Sequence, residues 1–139
     1  MAYLFKLGQG PITWSSKLQR SASTSTTEAE YIGLSYASKE AIWIRSFLEQ
    51  IGQATTGPIT VFGDNQGAIA LVKNPEFHAR TKHIDVSVHY VRELVEDERV
   101  SIIYISTKGM LADCLTKPLP RHQHNQNVQG IGFIRLGTV

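Results

Sequence analysis

The chain has 139 residues and a mass of 15.5 kDa, the size of one typical domain. Hydrophobic residues make up 42% and charged residues 19%, which is a globular composition and excludes a disordered or collagen-like chain. The single cysteine, Cys114, excludes an internal disulfide, no apolar run approaches the roughly 20 residues that span a bilayer, and the net charge of +2 is too small to name a partner.

The N-terminal half is predicted to form a hairpin followed by a long helix. Residues 3–7 and 12–16 are rich in strand formers, and a turn of about four residues is expected over 8–11. Ser25-Thr26-Thr27-Glu28 has the form of a capping box, so a helix is predicted over 27–50. Its two apolar rows are both expected to be buried: Leu34, Ala37, Ala41, Ile44, Leu48 and Ile51 in one, and Ile32, Tyr36, Trp43 and Phe47 in the other.

The second half alternates strand and helix signals. The pattern predicts a fully buried strand over 59–62, helices over 66–73 and 85–96, a strand over 100–105 and the start of a last helix over 110–115. Trp14, Trp43 and Cys114 are expected in the core. This order predicts a mixed α/β domain over residues 1–120, in which a sheet carries helices, and a tail over 121–139.

Three acidic residues lie at positions where a carboxylate is better suited to binding a ligand than to packing in a core. Glu30 continues the core-facing row of the long helix, Asp64 follows a strand at its C-terminal edge, and Asp113 lies at the start of the last helix. Three carboxylates that converge there would suit Mg²⁺ or Mn²⁺. The same residues are also compatible with acids that favour helix N-termini, or with a turn and cap pair at Asp64-Asn65.

Charge distribution adds a second observation. Residues 1–27 contain no acid, and neither does the segment after Lys117, so the acids lie in the middle and the bases at both ends. Two basic ends could contact a polyanion such as nucleic acid, and the alternative is an ordinary solvated surface.

Several segments, in order and at matching spacing, resemble the ribonuclease H domain at the C-terminus of copia-type retrotransposon Pol polyproteins. They are TWSSK at 13–17, STTEAEY at 25–31, DNQ at 64–66, RTKHID at 80–85 and LADCLTKPLP at 111–120. The resemblance implies a five-stranded mixed sheet with helices on both faces. It also implies a nuclease that uses Mg²⁺ to cut the RNA strand of RNA–DNA hybrids during reverse transcription.

The resemblance also implies roles for particular residues. Glu30, Asp64 and Asp113 would be catalytic and would bind the metal ions. Five basic side chains would contact phosphates and 2′-hydroxyls of the hybrid without recognising its nucleotide sequence. They are Lys17, Arg20, Arg80, Lys82 and Lys108. The reverse transcriptase domain of the same polyprotein would be a partner, no membrane partner is expected, and the location would be cytoplasmic, in virus-like particles.

The sequence departs from the family pattern at its start. The family's first strand carries a catalytic Asp upstream of the Tyr-x-Phe segment, and here only Met1 and Ala2 precede Tyr3. Hybrid cleavage by this chain is therefore expected to be absent or much reduced. The gap in the sheet would be filled by the tail, by a second copy that forms a homodimer through the exposed edge, or by rearrangement. The alternative function is a non-catalytic nucleic-acid or protein interaction module derived from a retrotransposon.

Overall fold

The computed structural model describes residues 1–18, 26–74 and 82–133, without the side chains of 82–88. The chain divides into two compact units, one made of Met1–Leu18 with Ser106–Val139 and the other of Gln19–Ile105. The cap residue Ser25 and the candidate contacts Arg20 and Arg80 lie outside the described residues.

The first unit begins with the predicted hairpin. Strands β1 (Ala2–Leu7) and β2 (Gly10–Ser16) pair antiparallel, with Leu4 opposite Trp14 and a bulge between Phe5 and Lys6. The turn is tighter than expected, because Gly8 takes a φ of +61° and the chain reverses over Gly8 and Gln9 alone. Trp14 is 61% exposed, so its predicted place in the core is wrong.

The C-terminal part of the same unit packs on this hairpin. Two 3₁₀ turns, Thr107–Gly109 and Leu111–Leu115, precede helix α4 (Arg121–Ile131). Lys6 Nζ donates to the carbonyl of Gly130, and Ser16 Oγ donates to the carbonyl of Leu115 over 2.7 Å.

The predicted start of a helix over 110–115 is wrong, since this segment forms a 3₁₀ turn. Pro118 cannot donate a backbone hydrogen bond, and it disfavours helical geometry at Lys117, so the turn cannot lengthen into a helix. Cys114 is partly exposed, its thiol donates to the carbonyl of Leu111 over 3.1 Å, and burial raises the pKa of that thiol. The segment predicted to be a tail contains α4.

The second unit contains the long helix and a parallel pair of strands. Its order is α1 (Thr26–Gln50), β3 (Ile59–Gly63), α2 (Gln66–Lys73), α3 (Lys82–Glu96) and β4 (Val100–Tyr104). Strands β3 and β4 run parallel, with Ile59 opposite Val100, and α1 packs against α2, α3 and both strands. Within the described residues the strands form two separate pairs, β1 with β2 and β3 with β4. The α/β class is therefore confirmed.

Only one of the two apolar rows on α1 is buried. Leu34, Ala37, Ala41, Ile44 and Leu48 are at most 7% exposed. Tyr36, Trp43 and Phe47 are between 46% and 56% exposed, and Ile51 beyond the helix is 55% exposed. The predicted burial of the second row, including Trp43, is wrong because the α2–α3–sheet layer covers a single face of the helix.

Strand β3 is covered on one face rather than two. Val61 and Gly63 are buried, whereas Phe62 is 53% exposed and pairs in register with Ile103, which is 45% exposed. The prediction of a fully buried strand is therefore wrong, and the apolar run conceals an alternation of covered and open positions.

Arg92 on α3 joins that helix to the end of α2. Its guanidinium donates to the carbonyls of Leu71 (2.9 Å), Val72 (3.2 Å) and Asn74 (3.3 Å). Leu71 and Val72 lie in the last turn of α2 and Asn74 is its C-cap, so Arg92 satisfies carbonyls at the C-terminus of α2 and also complements the helix dipole. No helix among the described residues is long and apolar enough to cross a membrane.

Candidate functional site

The C-terminal end of β3 positions Asp64 and Asn65. The ladder with β4 continues to this end, where the amide of Ile105 donates to the carbonyl of Gly63 over 2.9 Å. Asn65 then caps α2, because its Oδ1 accepts from the amide of Ala68 over 2.9 Å. Of the alternatives open for the Asp64-Asn65 pair, the cap role belongs to Asn65. Capping therefore does not occupy the carboxylate of Asp64, which is half-buried at the strand edge.

The N-terminal turns of α1 face the same edge. A Cβ built on Gly67 would lie 3.3 Å from the side chain of Thr27, and one built on Gly63 would lie 3.4 Å from Leu34 Cδ2. Thr27 and Leu34 are three residues before and four residues after Glu30, so all three share one stripe of the helix. The stripe that carries Glu30 therefore runs along the segment that carries Asp64.

Glu30 is exposed even though it continues the core-facing row of α1. Leu34, one turn later on the same stripe, is only 7% exposed. The carboxylate of Glu30 thus lies at the rim of the covered face, where solvent and a ligand can reach it, although Thr27 on the same stripe approaches Gly67 of α2. Sites at the carboxyl ends of parallel strands are usual in α/β folds.

Asp113 belongs to the other unit and has a defined partner. It lies in the second 3₁₀ turn, is 7% exposed, and its Oδ1 accepts from Lys117 Nζ over 3.0 Å. A carboxylate can be buried at acceptable cost when a cation pairs with it, as here. The pair was missed in the sequence, although the spacing of four residues between an acid and a lysine is a signal for such contacts.

The structure thus brings Glu30 and Asp64 to one edge of the second unit and holds Asp113 in the first unit. Across the part of the chain that is described, no group of three or more His, Cys, Asp or Glu side chains could hold a metal ion. The convergence of all three acids stays a prediction. Two carboxylates nevertheless fit Mg²⁺, which proteins commonly bind through one or two carboxylates together with waters and substrate phosphates.

The candidate nucleic-acid contacts can be placed in part. Lys17 follows β2 and Lys108 lies in the first 3₁₀ turn, and both are exposed in the first unit. Lys82 begins α3, and its side chain lies outside the described residues, as do Arg20 and Arg80 entirely.

Comparison with known proteins gives a consistent set of relatives. The chain is 48% identical over 121 residues, 87% of its length, to the retrovirus-related Pol polyprotein from transposon TNT 1-94 of Nicotiana tabacum. It is 41% and 40% identical over 134 residues, 96% of its length, to the retrovirus-related Pol polyproteins from transposons RE1 and RE2 of Arabidopsis thaliana. The chain spans 9% of the length of each of these relatives. No family model and no solved structure matches it.

Proposed function

The homologues of this chain are retrovirus-related Pol polyproteins of copia-type transposons, and from that we propose that it is a ribonuclease H-type domain. In this proposal the domain hydrolyses the RNA strand of RNA–DNA hybrids during reverse transcription, with Mg²⁺ as the cofactor. The observation that supports the proposal is that the helix stripe with Glu30 runs along the segment with Asp64, since Thr27 approaches Gly67 and Leu34 approaches Gly63.

The two carboxylates would hold the metal ion in different ways. The strand end and the cap made by Asn65 fix the backbone at Asp64, so its carboxylate is preorganised. Glu30 is exposed at the rim, where a phosphate of the substrate can approach it. A Mg²⁺ ion held there would lower the pKa of a coordinated water and neutralise charge on the phosphate. Asp113 is the third carboxylate in this proposal, on the resemblance of its L-A-D motif.

Binding of the hybrid would depend first on exposed basic side chains of the first unit. Lys17 and Lys108 can neutralise phosphates without reading sequence. Arg20, Arg80 and Lys82 are proposed to add contacts of the same kind.

A second candidate is a non-catalytic interaction module on the same scaffold. It is favoured by the ion pair between Asp113 and Lys117, which already supplies the third carboxylate with a cation. In this alternative the basic surface binds nucleic acid or a protein, and binding needs no divalent ion.

A cleavage assay separates the two functions. In the nuclease proposal, the domain extended at its N-terminus by an Asp-bearing strand should cut a labelled RNA–DNA hybrid with Mg²⁺, whereas an interaction module should not. In the extended version Asp64→Asn should lower the rate at least about 100-fold, because a metal ligand is lost. Asp97→Asn, which alters an exposed acid after α3, is the matched control and should keep the rate.

One result would contradict the nuclease proposal. If the extended version binds the hybrid without cutting it, and Asp64→Asn leaves that binding unchanged with or without Mg²⁺, the interaction module is the better account.

A further inference from the structure

The outer face of α1 carries a row of exposed aromatic side chains opposite the core. Tyr36 is 46%, Trp43 is 56% and Phe47 is 46% exposed, and the rings of Trp43 and Phe47 stack with centroids 5.5 Å apart. At 100° per residue these side chains point roughly 160° away from the mean direction of all the buried residues of the helix. Solvent-facing helix positions are normally polar, so a contiguous aromatic row indicates an interaction surface.

The complete outer stripe, as defined by helical geometry, contains eight residues over roughly 30 Å of helix. They are, in order, Ala29, Ile32, Tyr36, Lys39, Glu40, Trp43, Phe47 and Gln50. None of them is buried in the isolated chain. The stripe is apolar towards both ends and has one base beside one acid at its centre.

The stripe is symmetric about the point between Lys39 and Glu40. If a second copy of α1 lies antiparallel across this point, Tyr36 meets Trp43 of the other copy and Ile32 meets Phe47. The same register sets Lys39 opposite Glu40 of the other copy, and it does so twice because of the two-fold axis. Six of the eight positions of the stripe therefore meet a complementary partner in one register, and at its ends Ala29 meets Gln50.

We propose that this stripe is a homodimer interface in which two α1 helices pair antiparallel through their aromatic residues and two Lys39–Glu40 contacts. A nucleic acid fits the stripe less well, because Glu40 at its centre would repel phosphates. The stripe is small for a permanent interface, so the dimer is expected to be weak and concentration-dependent. This proposal does not depend on the hydrolytic activity proposed above.

Lys39 has a role within its own chain, which the experiment must separate from pairing. Its Nζ lies 5.7 Å from the ring centroids of both Tyr36 and Tyr90. Loss of this cation–π contact would weaken the chain in the same way whether or not residue 40 is also changed. Glu40 also has an interaction within its own chain, and the double variant loses the intrachain interactions of both single variants. Restored dimerisation in the charge exchange therefore reports on the interface.

The test is sedimentation equilibrium of the full chain between about 1 and 500 µM. The wild type should show a monomer–dimer equilibrium. Lys39→Glu and Glu40→Lys should each raise the dissociation constant about tenfold or more, because two attractive contacts become two like-charge contacts. The double variant Lys39→Glu/Glu40→Lys should restore dimerisation to within about threefold of the wild type, since the exchanged pair is again complementary.

Aromatic variants provide the second arm. Trp43→Ala should abolish the dimer over this range, whereas Trp14→Ala, which removes the exposed tryptophan of the hairpin, should leave it intact. Circular dichroism confirms that each variant is folded. A wild type that stays monomeric at 500 µM overturns the proposal, and so does a double variant no better than the single ones. Loss of hybrid binding by Trp43→Ala in a monomeric chain would instead identify nucleic acid as the occupant.

Discussion

Neighbouring residues at the start of α1 have opposite environments. Tyr31 is completely buried, and Glu30 beside it is exposed at the rim of the candidate site. Burial raises the pKa of the Tyr31 hydroxyl well above its ordinary value, and the positive charge of Arg92 opposes this with a smaller effect. The packed tyrosine fixes the first turns of the helix, and through them it positions the carboxylate of Glu30.

This environment predicts an alkaline limit to stability. The pKa of Tyr31 is raised in the folded state, so its contribution is complete below about pH 10 and is lost as the pH rises further. We expect the free energy of unfolding to fall by up to about 1.4 kcal/mol per pH unit above pH 10 through this group. In Tyr31→Phe that part of the slope should disappear.

Urea unfolding at pH 8, 9, 10 and 11 measures the effect. Other groups that titrate in this range act equally in both proteins, so the difference between wild type and Tyr31→Phe isolates Tyr31. Parallel pH profiles for the two proteins would contradict the assignment.

At the scale of elements, the sequence predicts the secondary structure of each segment more accurately than its burial. The bounds of α1, α2, β3 and β4 fall within one residue of the predicted ones, because capping residues, proline and helical periodicity are local signals. Burial is not local. Leu48 and Phe47 belong to equally apolar rows, and the position of the layer made by α2, α3 and the strands alone decides which row is covered.

The same limit applies to the candidate site. The sequence pattern of Asp64-Asn65 is compatible with a helix cap and with a metal ligand. The hydrogen bond from the amide of Ala68 to Oδ1 of Asn65 shows that Asn65 is the cap. The helical pattern predicts Glu30 on the core-facing row, and the structure shows it exposed. Its exposure could not be predicted, since it depends on which side chains of other elements pack beside it. The role of Asp113 beside the other two acids stays a prediction.

The end of α4 provides a test of backbone geometry in the first unit. Gly132 ends the helix with a φ of +111°, and a Cβ built on it would overlap the backbone oxygen of Gln9. Gly57 has a φ of +75° with open space around it. We expect Gly57→Ala to cost about 1 kcal/mol of unfolding free energy, from backbone strain alone. Gly132→Ala should cost more than about 3 kcal/mol, because a backbone atom cannot move aside as a side chain can.

Urea unfolding of both glycine variants compares the two costs directly. Both glycines have a positive φ, so Gly57→Ala is the control for a positive φ without a close backbone contact. If the two substitutions lowered the unfolding free energy equally, the close approach of Gly132 to Gln9 would be wrong.

At the scale of the whole molecule, charge is divided between the two units. The first unit has six Lys and Arg residues and one acidic residue, a net charge of +5. The second has eight basic and eleven acidic residues, a net charge of −3. A small total charge of +2 therefore conceals a strongly basic unit, and a polyanion would be attracted to that unit. Asp113, its one acid, is paired with Lys117, so little negative charge is left there to oppose a phosphate.

This division predicts how nucleic-acid binding responds to salt. If phosphates contact the first unit, Lys17→Ala and Lys108→Ala should each reduce the slope of log affinity against log salt concentration by about one, because each lysine releases about one counterion on binding. Lys73→Ala removes an equally exposed lysine of the second unit and should leave the slope unchanged. Fluorescence anisotropy with a labelled RNA–DNA hybrid between about 50 and 300 mM salt measures all three slopes. A reduction by Lys73→Ala as large as those at the other two positions would show that any exposed lysine has the same effect, and Lys17 and Lys108 would lose their assigned role.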